Sequence, residues 1–409
     1  MTPATIETIQ EKMANHAEPC IRVLHLNAGN MYGGVEAMLS TLARSRHLCP
    51  GMESHFACCY EGRLSQELAA SGAPVYTLGG VRISRPWTVW QARARLRKLL
   101  SNQHFDVVIC HMGWSLAVFG AAVRACGHKV VVWMHGLQGG FNWLGWLAQR
   151  ANPDLAIANS RFTSGEIRNQ FPHASVQVIH CPVSLDRAGD EDRSRTALRQ
   201  QQGAGEGTAV ILQVSRVEAC KGHLLHLEAL SRIKTLSSWV CWMVGGPQTS
   251  KEAEYFLELQ RTARALGIED RVKFLGQRSD VPKLLAAADI FCQPNVTPEG
   301  FGLVFIEALW AGRPVVTTAM GGALEIIDDT CGILTKPADA EDLAESLRKL
   351  MESPELRTRL GQAGPGRALH LCDPASQMEK LRDVLRTEAG GAVSSRRAGL
   401  VEHSQAAAK

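Results

Sequence analysis

Short apolar runs recur along the chain, separated by stretches whose apolar residues fall at helical spacing. IRVLHLN, SHFACCY, APVYTLG, FDVVICH, KVVVWMHG, LAIANS and VQVIH are β-type runs, and VEAMLSTLARSR is typical of the helical segments between them. Strands that are apolar on both faces and alternate with helices predict a mostly parallel sheet covered on both sides. A second series repeats the pattern with AVILQVS, WVCWMVGG, RVKFLG, ADIFCQPN, PVVTTAMGG and GILTK. The chain therefore divides into a polar leader over 1–19, a first α/β unit over 20–184, a polar linker over 185–207 and a second α/β unit over 208–370. Residues 371–388 predict a C-terminal helix that packs back toward the first unit, and the Gly/Ser/Ala-rich tail over 389–409 is expected to be disordered.

Composition narrows the field. At 409 residues with 45% apolar and 21% charged residues, the chain can bury two cores and is neither fibrous nor disordered. A net charge of +4, with no long basic tract, argues against nucleic acid as the partner. The 12 cysteines are scattered, some beside predicted strands, and read as reduced thiols of a cytoplasmic protein rather than a disulfide framework. The N-terminus has no apolar core of a signal peptide, and no apolar run reaches the ~18 residues that span a bilayer.

The strongest local signal is TPEGFGLVFIEALWAGRPVVTTAMGG, which follows the predicted strand ADIFCQPN. Glu299 lies on its glycine-bearing loop and Glu307 in the helix that follows. Beyond the carboxyl end of a parallel strand, such a helix start offers free N–H groups and a positive dipole to phosphate. The plainer alternative makes Glu299 a helix cap and Glu307 half of a surface ion pair. A second constellation is RVEACKGH after AVILQVS, where Arg216 and Lys221 could hold a diphosphate, or could simply be solvated. In GNMYGGVE, Gly33 and Gly34 precede a helix and could present amides or merely make a tight turn. His135 ends KVVVWMHG, and His111 holds a similar place one strand earlier.

EGFGLVFIEALWAGRPVV resembles the E-x7-E donor signature of the GT-B fold glycosyltransferases, specifically the large retaining family four, the glycosyl transferases of group 1. The resemblance implies two facing Rossmann-like domains, the first on the acceptor side and the second binding a nucleotide sugar, with the active site in the cleft between them. It assigns Glu299 to the donor sugar, Glu307 to the nucleotide ribose, and the backbone of Gly300, Phe301, Gly302 and Leu303 to sugar and pyrophosphate. The strand, Arg, short loop, Lys-Gly pattern matches at Arg216 and Lys221, which would neutralise the leaving diphosphate. Gly34 becomes a backbone donor from the facing domain, His135 a sugar-positioning residue, and Arg278 a neighbour of the base. Glu325 in GGALEII is either a supporting residue or a helix-starting carboxylate. At VIHCPVSLDR the family's usual Asn-Gly-Val-Asp turn is replaced in its first part by His180, Cys181 and Pro182.

The implied activity is retaining transfer of a hexose-type sugar from a nucleotide-diphosphate sugar to a saccharide or lipid-linked saccharide, in bacterial surface polysaccharide or lipopolysaccharide assembly. No metal or other cofactor is expected. Competing assignments are a nucleotide-sugar epimerase or a catalytically silent nucleotide-sugar-binding protein on the same fold. A nicotinamide oxidoreductase is excluded because GAGEG precedes its strand rather than following it. Trp87 and Trp90 among arginines, with Trp143 and Trp146 further on, suggest peripheral docking on the inner face of the cytoplasmic membrane, against the alternative of tryptophans packed on the sheet.

Overall fold

The computed structural model describes residues 20–29, 31–136, 143–184, 191–236 and 238–388; the leader over 1–19 and the tail over 389–409 lie outside the described residues. Two wholly parallel sheets organise the chain. The first contains β1 (Ile21–Asn27), β2 (Met52–Cys58), β3 (Val75–Thr77), β4 (Val107–His111), β5 (Val130–Met134), β6 (Leu155–Ala158) and β7 (Ser175–Val178), in the order β3-β2-β1-β4-β5-β6-β7. The second contains β8 (Ala209–Val214), β9 (Trp239–Val244), β10 (Val272–Gly276), β11 (Ile290–Gln293), β12 (Val315–Thr318) and β13 (Gly332–Thr335), in the order β10-β9-β8-β11-β12-β13.

Alternation of side chains across each strand divides the cores. Val108, Val130 and Val132 pack on one face of the first sheet, whereas Ile109, Val131 and Trp133 pack on the other. Both faces are dry, which is why these strands read as continuous apolar runs. Each sheet reverses its winding once, between β1 and β4 in the first and between β8 and β11 in the second. At such a reversal the following helices leave to opposite faces, and a crevice opens beyond the strand ends. The two crevices face each other.

Two segments differ from or extend the sequence expectation. The stretch expected as linker over 185–207 is largely helical: Glu191–Gln201 docks on the second domain. Arg195 Nη2 donates to Asp289 Oδ1 at 2.8 Å and Arg199 Nη1 to Asp289 Oδ2 at 3.0 Å. The helix is held by guanidinium–carboxylate pairing more than by an apolar stripe, so its sequence looks like a solvated connector. After helix Pro354–Cys372, residues 374–388 form a last helix whose Met378, Leu381 and Leu385 are buried against Val23, Met38 and Leu39 of the first domain. Their spacing of three and four puts them on one helical face. The chain thus crosses between domains twice, and Val183 N donates to Cys372 O at 3.3 Å where the crossings meet.

All 12 cysteines are unpaired, and most are buried apolar residues of the two cores.

Candidate active site

The cleft between the strand ends encloses a cavity of about 1330 Å³, and residues of both domains line it. From the second domain, β8 delivers Arg216 and Lys221. Arg216 Nη1 pairs with Glu218 Oε1 at 3.1 Å, and Nη2 with Glu252 Oε1 at 2.5 Å. Burial would raise the Glu252 carboxyl, but hydrogen bonds from Gln248 N and Arg216 outweigh it and hold Glu252 below the usual carboxylate range. The same guanidinium reaches across the cleft to Met31 Sδ at 3.6 Å.

Lys221 donates through Nζ to Glu299 Oε2. Burial pulls the lysine down, but the Glu299 carboxylate overrides it, and the ammonium sits above its ordinary value. Asn295 Nδ2 lies 3.4 Å from the same carboxylate oxygen. Two local features hold these loops together. Val296 N donates to Cys220 O at 3.0 Å. Gly222 has φ +70°, and a Cβ there would come within 1.7 Å of Pro294 O, so the Lys-Gly turn accepts no larger residue.

Glu307 lies one residue beyond the first turn of helix Leu303–Trp310, whose start lines the cleft. Among the described residues no hydrogen bond or ion pair reaches its carboxylate, and burial alone pushes its pKa up to about 7. A half-buried carboxylate without a partner fits a ligand hydroxyl better than the surface ion pair considered above. Phe301, by contrast, is buried and stacks on His180 with centroids 5.0 Å apart, so only its backbone is available to a ligand.

Gly300 is one of the places where the domains touch. A Cβ there would stand 2.6 Å from Gly136 Cα and 2.9 Å from His135 O. Its carbonyl accepts from Ser160 Oγ at 2.6 Å and Thr163 Oγ1 at 3.2 Å, both on the first domain. Glu325 is part of the same clasp, accepting from Phe162 N at 2.9 Å, with His180 Nε2 3.6 Å away. Gly34 starts its helix opposite Leu303, whose Cδ1 would lie 3.5 Å from an added Cβ. Arg278 lines the cleft but is neutralised by Asp280, to which it donates at 2.8 and 2.6 Å.

Several supporting residues were not evident from the sequence. Glu36 accepts from Gly33 N at 3.0 Å and Asn27 Nδ2 at 3.1 Å, fixing the glycine loop. Its place three residues after Gly33, as a capping-box acid, is the signal that could have found it. Beneath the loop runs a line of histidines. His25 Nδ1 and His111 Nε2 are 3.0 Å apart, His111 Nδ1 and His135 Nε2 are 3.0 Å apart, and His135 Nδ1 lies 3.5 Å from Cys181 Sγ. Burial, assisted by the neighbouring imidazoles, lowers all three, His25 and His135 to about 3, so the line is neutral at physiological pH. Both nitrogens of His135 are engaged, and a sugar hydroxyl would have to displace the Cys181 thiol, the weaker partner.

Two Rossmann-like domains that close on a cleft lined by paired cations and glutamates, with glycine backbone at the helix starts, define a GT-B glycosyltransferase. A family model described as "Glycosyl transferases group 1" matches residues 194–367, and one described as "Glycosyltransferase Family 4" matches residues 32–187. The chain belongs to the group 1 glycosyltransferases.

The chain is 26% identical over 289 residues to the GDP-mannose-dependent alpha-(1-6)-phosphatidylinositol monomannoside mannosyltransferase of Mycolicibacterium smegmatis, covering 66% of this chain and 74% of that protein. It is 33% identical over 218 residues to the lipopolysaccharide glucosyltransferase WaaG of Escherichia coli, covering 51% of this chain and 55% of WaaG. Among solved structures, Anabaena HepE in complex with UDP-glucose superposes with a TM-score of 0.80 at 23% identity, over 90% of this chain and 100% of that one.

Proposed function

We propose that this glycosyltransferase moves a hexose-type sugar, with retention of anomeric configuration, from a nucleotide-diphosphate sugar to a saccharide or lipid-linked saccharide acceptor. The observation that carries the reading is the grouping of Arg216, Lys221, Glu299 and Glu307 at the strand ends of one domain, within one cavity that Gly34 and His135 reach from the other. The named relatives, a phosphatidylinositol-mannoside mannosyltransferase and a lipopolysaccharide glucosyltransferase, support a bacterial surface-glycan acceptor built on lipid.

In the proposed reaction the bond between the anomeric carbon and the β-phosphate oxygen breaks, and the leaving nucleoside diphosphate takes the electron pair. Arg216 and Lys221 neutralise the charge that develops there. The acceptor hydroxyl attacks the face from which the diphosphate departs, and its proton passes to a phosphate oxygen of the leaving group. Glu299 holds sugar hydroxyls, Glu307 the ribose diol, and the backbone of Gly300, Gly302 and Leu303 the sugar and pyrophosphate. Positioning and charge stabilisation supply the acceleration, since the leaving group is already good.

We further propose that two protein cations do the work a divalent ion would do. Thorough chelation should leave the initial rate unchanged, and a loss of about fourfold or more, restored by Mg²⁺, would overturn that part. No helix among the described residues is long and apolar enough to cross a membrane. The proposed site of action is the cytoplasmic side, at the surface of the inner membrane.

A thermal-shift series with UDP, GDP, ADP and their sugars tests the donor assignment, because a donor raises the unfolding temperature by mass action. The matching nucleotide should lose its shift in Glu307→Ala. If none of the series shifts the wild-type transition, the donor assignment fails. NMR of the first product anomer reports the stereochemistry, and an inverted linkage would refute retention.

A further inference from the structure

Between Leu68 and Phe105 the chain contains no aspartate or glutamate but six cations: Arg82, Arg85, Arg93, Arg95, Arg97 and Lys98. The fold uses two of them internally. Arg93 Nε donates to Val118 O at 2.5 Å, and Arg95 Nη1 donates to Leu78 O at 2.9 Å. The other four point outward, and among the described residues no hydrogen bond or ion pair reaches their side chains.

The same stretch exposes large apolar side chains. Trp87 is 58% exposed, Trp90 67% and Ile83 41%. Helix Pro86–Asn102 spends Ala92, Leu96 and Leu100 on the core and turns Trp87, Trp90, Arg97 and Lys98 to the outside. The turn that leads into it is ordered. Arg82 N donates to Thr88 Oγ1 at 2.9 Å, Thr88 Oγ1 donates to Arg85 O at 2.7 Å, and Tyr60 Oη donates to Val81 O. Arg82, Ile83, Arg85 and Trp87 are therefore held in their outward presentation.

Topology fixes where the patch lies. The helix connects β3 to the parallel β4, so it runs against the strand direction and begins at the strands' carboxyl ends, the end that opens on the cleft. Helix Trp143–Ala151 does the same between β5 and β6, and its Trp146 is 45% exposed beside the exposed Leu147. The Trp143 side chain lies outside the described residues. Both helices pack on the same face of the sheet as Met112–Ala125, so their aromatic ends share one side of the cleft mouth.

We propose that this rim is a docking surface for an anionic bilayer, and that it sets the cleft mouth against the membrane from which a lipid-linked acceptor is presented; the second half rests on the acceptor reading above. Tryptophan settles at the headgroup boundary, where its ring is apolar and its N–H is wet, and unpaired arginine beside it is attracted to anionic headgroups. The paired features match that chemistry: aromatic residues at the helix start, free guanidinium groups in the adjoining turn, and no carboxylate in the stretch of chain that carries them.

The test is flotation of the full chain with phosphatidylcholine vesicles, with and without about 30 mol% phosphatidylglycerol, at low and high salt. Wild type should float with the anionic vesicles and release with salt. Trp87→Ser/Trp90→Ser and Arg82→Glu/Arg85→Glu should each weaken binding by about tenfold or more while leaving the unfolding temperature and the nucleotide-induced thermal shift unchanged. Absence of flotation at low salt overturns the proposal. So does undiminished flotation of both variants. A concentration-dependent dimer that Trp87→Ser/Trp90→Ser dissociates, with no vesicle binding, would assign the patch to a second copy of the chain instead. The nucleotide shift is read on the same samples, so failure of the donor assignment is seen separately from failure of the docking surface.

Discussion

Lys221 and Glu299, 78 residues apart in sequence, meet in the floor of the cleft with the lysine ammonium donating to the carboxylate. Each is the other's principal charge partner in the free protein, and under the proposed assignment a donor draws on both, the ammonium for its phosphate and the carboxylate for its sugar. The pair therefore holds the site in shape before the donor arrives, and binding substitutes one set of charge-assisted hydrogen bonds for another.

Removing either member strands the other. Lys221→Met and Glu299→Gln should each lower kcat by roughly 10²–10³-fold. Each should also cost about 1–3 kcal/mol of stability, because a partly buried charge loses its partner. The double variant should be less destabilised than the sum of the two, and urea unfolding of all four proteins measures that coupling. Strict additivity would mean that the two side chains do not support each other.

Gly300→Ala tests the domain contact while leaving every donor-facing side chain in place. Its methyl would collide with Gly136 and the His135 carbonyl. The expected outcome is a folded protein that still shows the nucleotide-induced thermal shift, but whose transfer rate falls by roughly 100-fold or more because the halves of the site stay apart. Small-angle scattering should show a larger radius of gyration in the presence of nucleotide than for wild type.

Glu307 predicts a pH effect of definite sign. Its carboxyl is raised to about 7 in the folded protein, so between the unfolded value near 4.5 and about 7 the folded state holds the extra proton. Its contribution to stability is full below the unfolded value and is lost as pH rises through about 7, by up to about 3 kcal/mol. If Glu307 holds the ribose diol as proposed, nucleotide binding should run the other way, strengthening over the same window because the ionised carboxylate is the better acceptor. Glu307→Gln should flatten both curves, as followed by denaturant unfolding and by nucleotide thermal shift between pH 6 and 8.

The buried histidines predict acid sensitivity. His25 and His135 are lowered to about 3, chiefly by burial, so as pH falls below about 6.5 the unfolded chain takes up protons that the folded one refuses. Each costs about 2 kcal/mol by pH 5, and His25→Phe should remove one share, read as a shallower slope of unfolding free energy against pH. A slope identical to wild type would show that His25 already titrates normally in the folded state.

Much of this architecture was legible in the chain, for reasons that can be named. Strands buried on both faces cannot avoid apolar continuity, and the turn that carries Glu299 cannot avoid glycine at 300, where backbone meets backbone. What escaped notice depends on register or on polar docking. His111 is paired with Trp133 across β4 and β5, which places His135, two residues on, beside it on the same face; no pattern within a single strand carries that information. Glu252 is one carboxylate among several in a polar helix, and only the approach of Arg216 distinguishes it. Helix Glu191–Gln201 escaped because arginines, rather than an apolar stripe, dock it. The resemblance sets Arg278 beside the base; the residue lines the cleft, and Asp280, two residues later, takes up its guanidinium, which makes the local backbone the better candidate for contact with a base.

The last helix, lying on the first domain, changes how the two halves can move. One crossing of the chain would act as a ball joint and allow the domains to swivel and slide in any direction. Here two crossings lie side by side, joined by the bond from Val183 N to Cys372 O. Like a door hung on two pins, such an arrangement favours opening and shutting about the line through both crossings over swivelling or sliding. A closure guided in this way would bring Gly300 back to the same spot against Gly136, so that the route of the backbone, rather than a fresh search, aligns the two sides of the cleft.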